Sequence, residues 1–492
     1  MNARLVPILL LVCMVLAACA GPQPGGAVPS PASSAGTSAA PAGAPAVPTG
    51  NSPKRLTAAI LADPPLVINA FTKPLPGTEA VEVLVNSGLT IVDDHGLLIP
   101  QLAEAVPSIE NGLWKIFPDG HMETIWKVRA GAQWHDGTPV TAADVAFTYQ
   151  VGSDLPQFRN PGYKWVERLD TPDSRTIVVS WSQPFINADA LFGPRPETGT
   201  FVTPLPEHLL SRTYAQDKAK VADLPYWGGD FVGSGPFRVR EFIPGNHIVL
   251  DANDQYVLGR PRLDQVEVKF IADVNAMLSN VLSGTVDATM GRGLSPDDAI
   301  RTRDRWTAGK MEGQMLFIVV VFPQFINTNP PIITNVQFRR ALLTAIDRQQ
   351  MVDTLQRGLS PVADSFLSPA NPTYDATISA AVRYPYDPQR ASQMLADLGY
   401  RKDADGGLRD TARQPLAVEI RVGANSNLQV QSTQAVAEYW RAVGVGVSTV
   451  SIPPQQAADN DYIYTFPAFH LQQHPSRVDV LANFGSANTY YP

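Results

Sequence analysis

The sequence is short of cysteine, of basic charge and of long apolar runs. Its 492 residues include two cysteines, Cys13 and Cys19, so the chain after residue 19 forms no intramolecular disulfide and depends on its own apolar core. Lys and Arg number 38 against 46 Asp and Glu, and the resulting net charge of −8 offers no basic surface for nucleic acid. The apolar run from Leu5 to Leu16 is shorter than the ~20 residues that span a bilayer.

The first residues have the pattern of an export signal. Arg4 precedes the apolar run, and small residues follow it up to Cys19. The stretch Leu16-Ala17-Ala18-Cys19 resembles the bacterial lipobox, which implies a signal peptide over 1–19 and lipidation of Cys19; the alternative is a plain cleavage site with an incidental cysteine. Residues 20–53, rich in Ala, Pro, Gly and Ser, are predicted to be a disordered tether, because they lack the large apolar side chains that offset the entropy of ordering.

The rest of the chain mixes strand and helix patterns. "TIVVSW" (176–181), "QVEVKF" (265–270) and "AVEIRV" (417–422) are β-branched and partly alternating, as half-buried strands are. Hydrophobic residues make up 44% of the chain, enough for two or three packed lobes in a body of this length. We therefore predict a mixed α/β fold.

Two segments carry strong helix signals. Apolar residues keep helical spacing over 335–358, with Asn335 placed to cap the start and Gly358 to end a single long helix. In "DPQRASQMLADLG", Asp387 is the predicted cap, Pro388 occupies the first turn, and Gly399 closes the helix.

The motif "QWHDGTPVTAADVAFTY" (133–149) raises the question of catalysis, because Trp134, His135 and Asp136 stand together before a helix. A structural role explains most of its polar residues. Asp136-Gly137 predicts a tight turn, and Thr141 with Asp144 three residues later predicts a capped helix start. We interpret the motif as scaffold.

This segment resembles the signature of the family 5 extracellular solute-binding proteins, the peptide and nickel receptors of ABC importers. Four later segments resemble further landmarks of that family in the same order. They are "FVGSGPFRVREFIPGNHIVLDANDQY" (231–256), "VLSGTVDA" (281–288), "QFRRALLTAIDRQQMV" (337–352) and "YDPQRASQMLADLGY" (386–400).

The resemblance implies a two-lobed clamp of the type II periplasmic-binding-protein kind, with an extra small inserted domain. On this chain it implies lobe I over 54–81 and 206–300, the inserted domain over 82–205, and lobe II over 301–492. Relatives return to lobe I through a final helical segment, so the end at "ANTYYP" leads us to expect a chain truncated at its C-terminus.

The resemblance also implies function. We expect an exported receptor, lipid-anchored on the outer face of the cell membrane or in the periplasm, that delivers a peptide or other small organic solute to an ABC permease and ATPase complex by cleft closure. It is expected to act as a monomer, without cofactor, catalysis or nucleic acid. A surface-anchored signalling lipoprotein remains an alternative, and a secreted hydrolase a remote one, since Ser234 in "GSG" lacks the outer residues of a G-x-S-x-G nucleophile elbow.

Ligand contacts are predicted at two places. Gln324 and Asn327 follow a strand in "FPQFINTNPP", and Phe466, Phe469 and His470 lie in "YTFPAFHLQQHPSRVD". Surface solvation is the alternative for the first pair, and burial in the core for the two aromatic residues. Peptide-binding relatives place an Asp before a Pro in the latter stretch, and this chain has no acid between Tyr462 and Arg477. Peptide specificity is therefore not carried over.

His470 and His474 are spaced i, i+4, and on a helix they would place two imidazoles on one face, where a transition metal can be chelated. The missing Glu of an H-E-x-x-H motif and the flanking Pro467 and Pro475 argue against such a helix. We predict no metal site here and keep the two histidines as weak candidates.

Overall fold

The computed structural model describes residues 53–68, 75–95, 97–155, 158, 160–193, 202–291, 293–312, 317–371, 373–424, 426–456 and 459–476. The predicted signal peptide, the predicted lipidation site Cys19 and the predicted tether up to residue 52 lie outside these residues. The C-terminal end at "ANTYYP", where the sequence led us to expect a truncation, also lies outside them. No helix in the described residues is both long enough and apolar enough to cross a membrane.

Strands and helices alternate along the described chain. The strands are β1 (Arg55–Ile60), β2 (Thr90–Val92), β3 (Leu98–Pro100), β4 (Trp114–Ile116), β5 (Met122–Lys127), β6 (Val166–Asp170), β7 (Thr176–Trp181), β8 (Phe237–Ile243), β9 (His247–Ala252), β10 (Gln265–Phe270), β11 (Ala288–Thr289), β12 (Phe317–Pro323), β13 (Arg401–Lys402), β14 (Leu408–Arg409), β15 (Ala417–Gly423), β16 (Gly446–Ile452) and β17 (Phe469–Pro475). The helices are α1 (Thr78–Val85), α2 (Ala142–Asp154), α3 (Glu207–Gln216), α4 (Val274–Ser283), α5 (Pro296–Arg303), α6 (Val336–Thr344), α7 (Arg348–Leu355), α8 (Tyr374–Ala380), α9 (Pro388–Asp397), α10 (Asn427–Ala442) and α11 (Asn460–Tyr464).

The first sheet joins segments that are distant in sequence. Its five strands run in the order β11-β1-β10-β9-β8, with β1 parallel to β10 and β11 and the remaining pairs antiparallel. Ala58, Ala59 and Ile60 of β1 are fully buried. Because β8, β9 and β10 belong to the same sheet as β1, the chain leaves this sheet after Ile60 and returns to it at Phe237.

The second sheet lies within that excursion. It is antiparallel in the order β4-β5-β7-β6, and its core contains the buried indoles of Trp126, Trp134 and Trp181. The Trp181 indole N–H donates to Thr124 Oγ1 at 3.0 Å, which satisfies one polar group inside this core. This sheet therefore has an apolar core of its own.

The third sheet belongs to the second half of the chain. Its order is β12-β17-β15-β16, with β12 antiparallel to β17 and the other pairs parallel. One face packs against helices through Ile420, Leu471 and the indole of Trp440, whose N–H donates to Leu342 O. The opposite face carries the polar side chains described below.

The three predicted strands are confirmed as β7, β10 and β15. The helix predicted after Asp387 is also confirmed, with the Asp387 carboxylate accepting the Arg390 N–H at 2.8 Å and Gly399 at φ 94°. The structure therefore has the mixture of strands and helices that the sequence predicts.

The single helix predicted over 335–358 is wrong. Asn335 does cap a helix by accepting from Gln337 N, but α6 ends at Thr344 and α7 begins at Arg348. The break occurs because the Asp347 carboxylate accepts the N–H of Gln350 and thereby starts a new helix. Apolar spacing continued across the break, so periodicity alone did not reveal it.

Close backbone contact ties the segment 233–235 to the end of α1. Gly235 N donates to Val85 O at 3.1 Å. A β-carbon on Gly233 would lie 1.9 Å from Val85 O, and one on Gly235 would lie 2.4 Å from the Val85 carbonyl carbon. Glycine is required at both positions because no side chain fits between the two backbones.

We expect Gly233→Ala to lower the free energy of unfolding by about 1–3 kcal/mol, because the added methyl group forces the two backbones apart. Chemical denaturation of the purified variant measures the change. Gly229→Ala is the matched control, since a β-carbon on Gly229 would have no other atom within 4 Å, and it should leave stability unchanged or slightly higher. Equal stability of the two variants would contradict the packing described.

Candidate ligand-contact site

The histidine of the "WHDG" motif forms hydrogen bonds with the backbone. His135 Nδ1 accepts the N–H of Gly233 at 3.2 Å, and Nε2 lies 3.1 Å from Gly235 O, which assigns the proton to Nε2. Burial lowers the pKa of His135 to about 4, so the ring is neutral at pH 7. Gly137 has φ 88° in the tight turn, as Asp-Gly turns require. The motif holds the 233–235 segment in place.

Among the described residues, the hydrogen-bond partner of the Ser234 side chain is Asn86 and not a basic side chain. The Ser234 hydroxyl is buried and donates to Asn86 Oδ1 at 3.2 Å. Both ring nitrogens of the nearby His135 are hydrogen-bonded to backbone atoms. A serine nucleophile needs a base within hydrogen-bond reach. This geometry gives no support to the hydrolase alternative.

The predicted ligand-contact residues gather at one end of the third sheet. Pro323 at the end of β12 lies opposite Phe469 at the start of β17, since the two strands are antiparallel. The turn after β12, residues 324–329, therefore meets the segment 462–468 that leads into β17. Gln324 N donates to Ala468 O and Asn329 N donates to Pro467 O, both at 2.8 Å.

The Gln324 side chain fastens these two segments together. Its Nε2 group donates to Tyr464 O at 3.0 Å and to Phe466 O at 3.1 Å. Its Oε1 atom accepts the N–H groups of Phe325 and Ile326 at 2.9 and 3.1 Å. The amide thus makes its contacts within the protein, and Gln324 positions the turn.

Asn327 and its two apolar neighbours, Phe325 and Ile326, are exposed in the turn. Asn327 has a left-handed backbone with φ 54°, a conformation that asparagine tolerates better than most residues. Phe325 and Ile326 are 58% and 46% exposed. Sequence reasoning selected the polar residues of "FPQFINTNPP" and passed over these two, although an adjacent apolar pair in a polar loop was the available signal.

The two aromatic candidates are buried. Phe469 lies in the core of the third sheet with its ring 4.9 Å from that of Trp440. Phe466 lies on the opposite side, with its ring 5.4 Å from the imidazole of His470 in an edge-to-face arrangement. Core packing was the alternative that the sequence left open for both.

A row of three polar side chains follows β17 on the face away from the core. His470 Nδ1 lies 2.9 Å from Gln472 Nε2, and Gln472 Oε1 lies 3.1 Å from His474 Nε2. Because an amide nitrogen donates and an amide oxygen accepts, His470 Nδ1 accepts and His474 Nε2 donates. One glutamine therefore fixes the orientation and tautomer of both imidazoles.

Both imidazoles are neutral at pH 7. Burial, with Arg421 and His474 nearby, lowers the pKa of His470 to about 4, and burial lowers the pKa of His474. Arg421 pairs with Glu419 on the same strand at 2.7 Å and donates to Tyr462 O at 2.9 Å. The face is thus closely hydrogen-bonded and carries its charge as an ion pair.

The helical chelate considered for His470 and His474 does not form, because both residues lie in β17. Four residues of strand separate their Cα atoms by about 13 Å, too far for one metal ion. Within the described residues, no group of three or more His, Cys, Asp and Glu side chains is placed to hold a metal.

Separate sheets with their own cores, joined by a chain that leaves the first sheet and returns, define the class of two-lobed solute-binding proteins. The family can be stated as well. The chain belongs to the bacterial extracellular solute-binding proteins, family 5, because the family model described as "Bacterial extracellular solute-binding proteins, family 5 Middle" matches residues 98–488.

Individual relatives agree with this assignment. The oligopeptide-binding protein AppA of Bacillus subtilis is 25% identical over 392 residues, which cover 78% of this chain and 67% of AppA. A putative ABC transporter peptide-binding protein of Brucella ovis is 30% identical over 287 residues. That match covers 56% of this chain, which spans about half, 48%, of the Brucella protein.

Solved structures show the same fold. AppA of Bacillus subtilis in complex with a nonapeptide superposes with a TM-score of 0.56 at 22% identity, covering 87% of this chain and 81% of AppA. NikA of Brucella suis in complex with Fe(III)-EDTA gives a TM-score of 0.64 at 18% identity, covering 88% and 84%. The mixed α/β fold predicted from the sequence matches these two-lobed proteins.

The neutral His470 predicts how stability depends on pH. The pKa of His470 is about 4 in the folded chain and 6.5 for an ordinary histidine, so between these two pH values the unfolded chain binds a proton that the folded chain does not. The contribution of His470 to the free energy of unfolding should therefore be complete above pH 6.5 and be lost as the pH falls toward 4. This residue alone should lower the free energy of unfolding by roughly 2–4 kcal/mol over that range.

His470→Gln removes the titrating ring and keeps a hydrogen-bond acceptor for Gln472. Urea unfolding across the same pH window should show the stability deficit of the variant shrinking as pH falls, while carboxylate titrations cancel between the two proteins. Parallel stability curves for wild type and variant would be inconsistent with a buried neutral His470.

Proposed function

We propose that this protein is an extracytoplasmic receptor that binds a small solute between two lobes and delivers it to an ABC importer. The observation that carries the proposal is the family match across residues 98–488, in a chain whose fold follows two-lobed relatives. It binds and releases its solute without chemical conversion, in keeping with the Ser234 geometry.

We propose that the clamp is divided into lobes as the family resemblance implies. Lobe I comprises 54–81 and 206–300, the inserted domain 82–205, and lobe II 301–492. The first, second and third sheets lie in these three parts respectively, which supports the division. An ion pair joins lobes I and II, from Arg357 Nε to Asp297 Oδ1 at 2.8 Å.

The solute is a peptide or another small organic molecule. AppA is an oligopeptide-binding protein, and NikA was solved with Fe(III)-EDTA. Relatives of this fold thus bind both peptides and metal chelates, and the segment 462–476 of this chain contains no carboxylate to anchor a peptide ammonium group.

The partners of such a receptor are an ABC permease and its ATPase. The receptor itself is a monomer that a tether holds at the membrane. A lipoprotein that presents its solute to a membrane sensor is the second candidate, because the same tether and clamp serve both roles. A test of solute uptake separates the two roles. Uptake that requires an ABC permease supports the importer role, and uptake that does not supports the sensor role.

Cleft closure is directly measurable, because the chain beyond Cys19 contains no cysteine. Ser279→Cys on α4 and Gln431→Cys on α10 introduce exposed labelling sites in lobe I and lobe II. We expect energy transfer between the two dyes to change, saturably, on addition of a peptide digest or of a protease-treated, small-molecule cell extract.

Two cysteines within one lobe, Ser279→Cys and Glu241→Cys, form the control pair and should report no change. An unchanged signal for the inter-lobe pair with both solute pools, in protein that unfolds cooperatively, would refute the clamp mechanism.

Lipid anchoring gives a separate test. We expect the wild-type protein to sediment with membranes and Cys19→Ala to be released or retained unprocessed, because the thiol is the site of lipidation and stable attachment requires acyl chains. Fractionation after a high-salt wash measures the distribution. A Cys19→Ala protein that remains membrane-bound at the mature size would exclude this anchor.

A further inference from the structure

The outermost strand of the third sheet has one edge that faces away from the sheet. β16 pairs with β15 on one side, in a parallel register that continues without a shift along all seven of its residues. At one end of this pairing Gly446 N donates to Leu416 O, and at the other Ile452 O accepts from Ala424 N. Backbone groups alternate in direction along a strand, so residues 446, 448, 450 and 452 direct theirs toward β15. The three residues between them direct theirs outward.

These outward backbone groups belong to Val447, Thr449 and Ser451. Arg441 donates to Val447 O at 2.7 Å, which satisfies one of them. The N–H of Val447 and the N–H and C=O of Thr449 and Ser451 have no hydrogen-bond partner among the described residues. The side chains of Thr449 and Ser451 are exposed. The edge therefore presents a row of backbone donors and acceptors to the surroundings.

Other outer edges in the described chain are protected in ways that β16 is not. A free edge can recruit a further strand, and proteins block it with charges, register shifts, short strands or covering segments. β8 contains two arginines, a glutamate and a register shift, β6 also has a shift, and β12 is at least partly buried along its length. The remaining edge strands have two or three residues. β16 is longer than these, and none of its residues is charged or a proline.

We propose that β16 binds the β16 strand of a second copy of this chain, as an antiparallel pair that continues the third sheet from one copy into the other. Thr449 lies at the two-fold axis of this pair, where its N–H donates to the C=O of the partner's Thr449 and its C=O accepts in return. Val447 N–H donates to the C=O of the partner's Ser451. Each of these bonds occurs twice because the axis repeats it.

The sequence of the strand suits its own copy. In this register Val447 lies opposite the partner's Ser451 and Ser448 opposite the partner's Val450, so no pair of like charges arises. A two-fold pair also occupies both edges at once, and assembly stops at the dimer.

The pairing is expected to be weak. One strand pair buries less than the roughly 1,200 Å² at which stable interfaces begin. The receptor in dilute solution is then the monomer proposed above, and copies held on one membrane surface reach the local concentration at which the strands pair.

Disulfide trapping tests the register in the full-length protein in membranes. Two cysteines opposite each other in a hydrogen-bonded antiparallel pair have Cα atoms about 5.5 Å apart, within the roughly 4.4–6.8 Å that a disulfide spans. Thr449→Cys should therefore give a covalent dimer on mild oxidation, seen on a non-reducing gel. Gln431→Cys on α10 and Ser279→Cys on α4 are exposed controls and should remain monomeric, as should the wild-type chain.

Charge at the two-fold axis tests the same pairing without a cross-link. Thr449→Lys and Thr449→Glu each place like charges opposite one another and should weaken self-association roughly fivefold or more, whereas a mixture of the two proteins should restore it. Sedimentation equilibrium of the full-length protein in density-matched detergent measures the association. Thr307→Lys, at an exposed residue outside β16, is the matched control and should change nothing.

The folded monomer should tolerate these changes, because the backbone groups of Thr449 make no bond to β15, and an unchanged melting temperature checks this. A Thr449→Lys protein with a lower melting temperature and unchanged association would assign the edge to another segment of the same chain and overturn the inference. So would a Thr449→Cys adduct with a different protein, absence of any adduct, or association that continues beyond the dimer. The response of the dye pair in the two lobes should persist in the Thr449→Lys protein, so solute binding and pairing are tested separately.

Discussion

The first half of the structure depends on a backbone contact that excludes every side chain. Gly233 and Gly235 pass so close to Val85 that a β-carbon at either position overlaps main-chain atoms. The neutral ring of His135 holds the same segment by accepting from Gly233 N and donating to Gly235 O. A loop beside the second sheet thereby fixes the lead into β8 of the first sheet. A motif that looks catalytic is thus explained by the hydrogen bonds of one buried imidazole.

In the second half of the structure, the side-chain amide of Gln324 positions a backbone segment, as the imidazole of His135 does in the first half. Gln324 joins the turn after β12 to the segment before β17, and its four hydrogen bonds leave it little capacity to contact a solute. Gln324, which the sequence suggested as a ligand contact because it is polar, therefore positions its neighbouring residues. Buried or half-buried polar side chains commonly have this role, because each unsatisfied donor or acceptor costs more than a satisfied one gains.

Sequence reasoning succeeded where local chemistry decides the structure and failed where tertiary contacts decide it. Caps at Asp387 and Thr141 and the turn at Gly137 are local, and each was predictable from neighbouring residues. The break between α6 and α7 was missed because Asp347 competes as a cap inside an unbroken apolar period. The relation of Phe325 to Arg339 was also missed, since their contact requires the turn to fold back over α6.

The two faces of the third sheet are stabilised in different ways. Ile420, Leu471 and Phe469 face the helices and supply apolar burial, whereas His470, Gln472 and His474 face away and hold one another through hydrogen bonds. With both imidazoles neutral and Arg421 paired to Glu419, that face carries little net charge. The polar face is therefore stabilised by hydrogen bonds and one ion pair, whereas the core face is stabilised by apolar burial, so the same strands serve two kinds of packing.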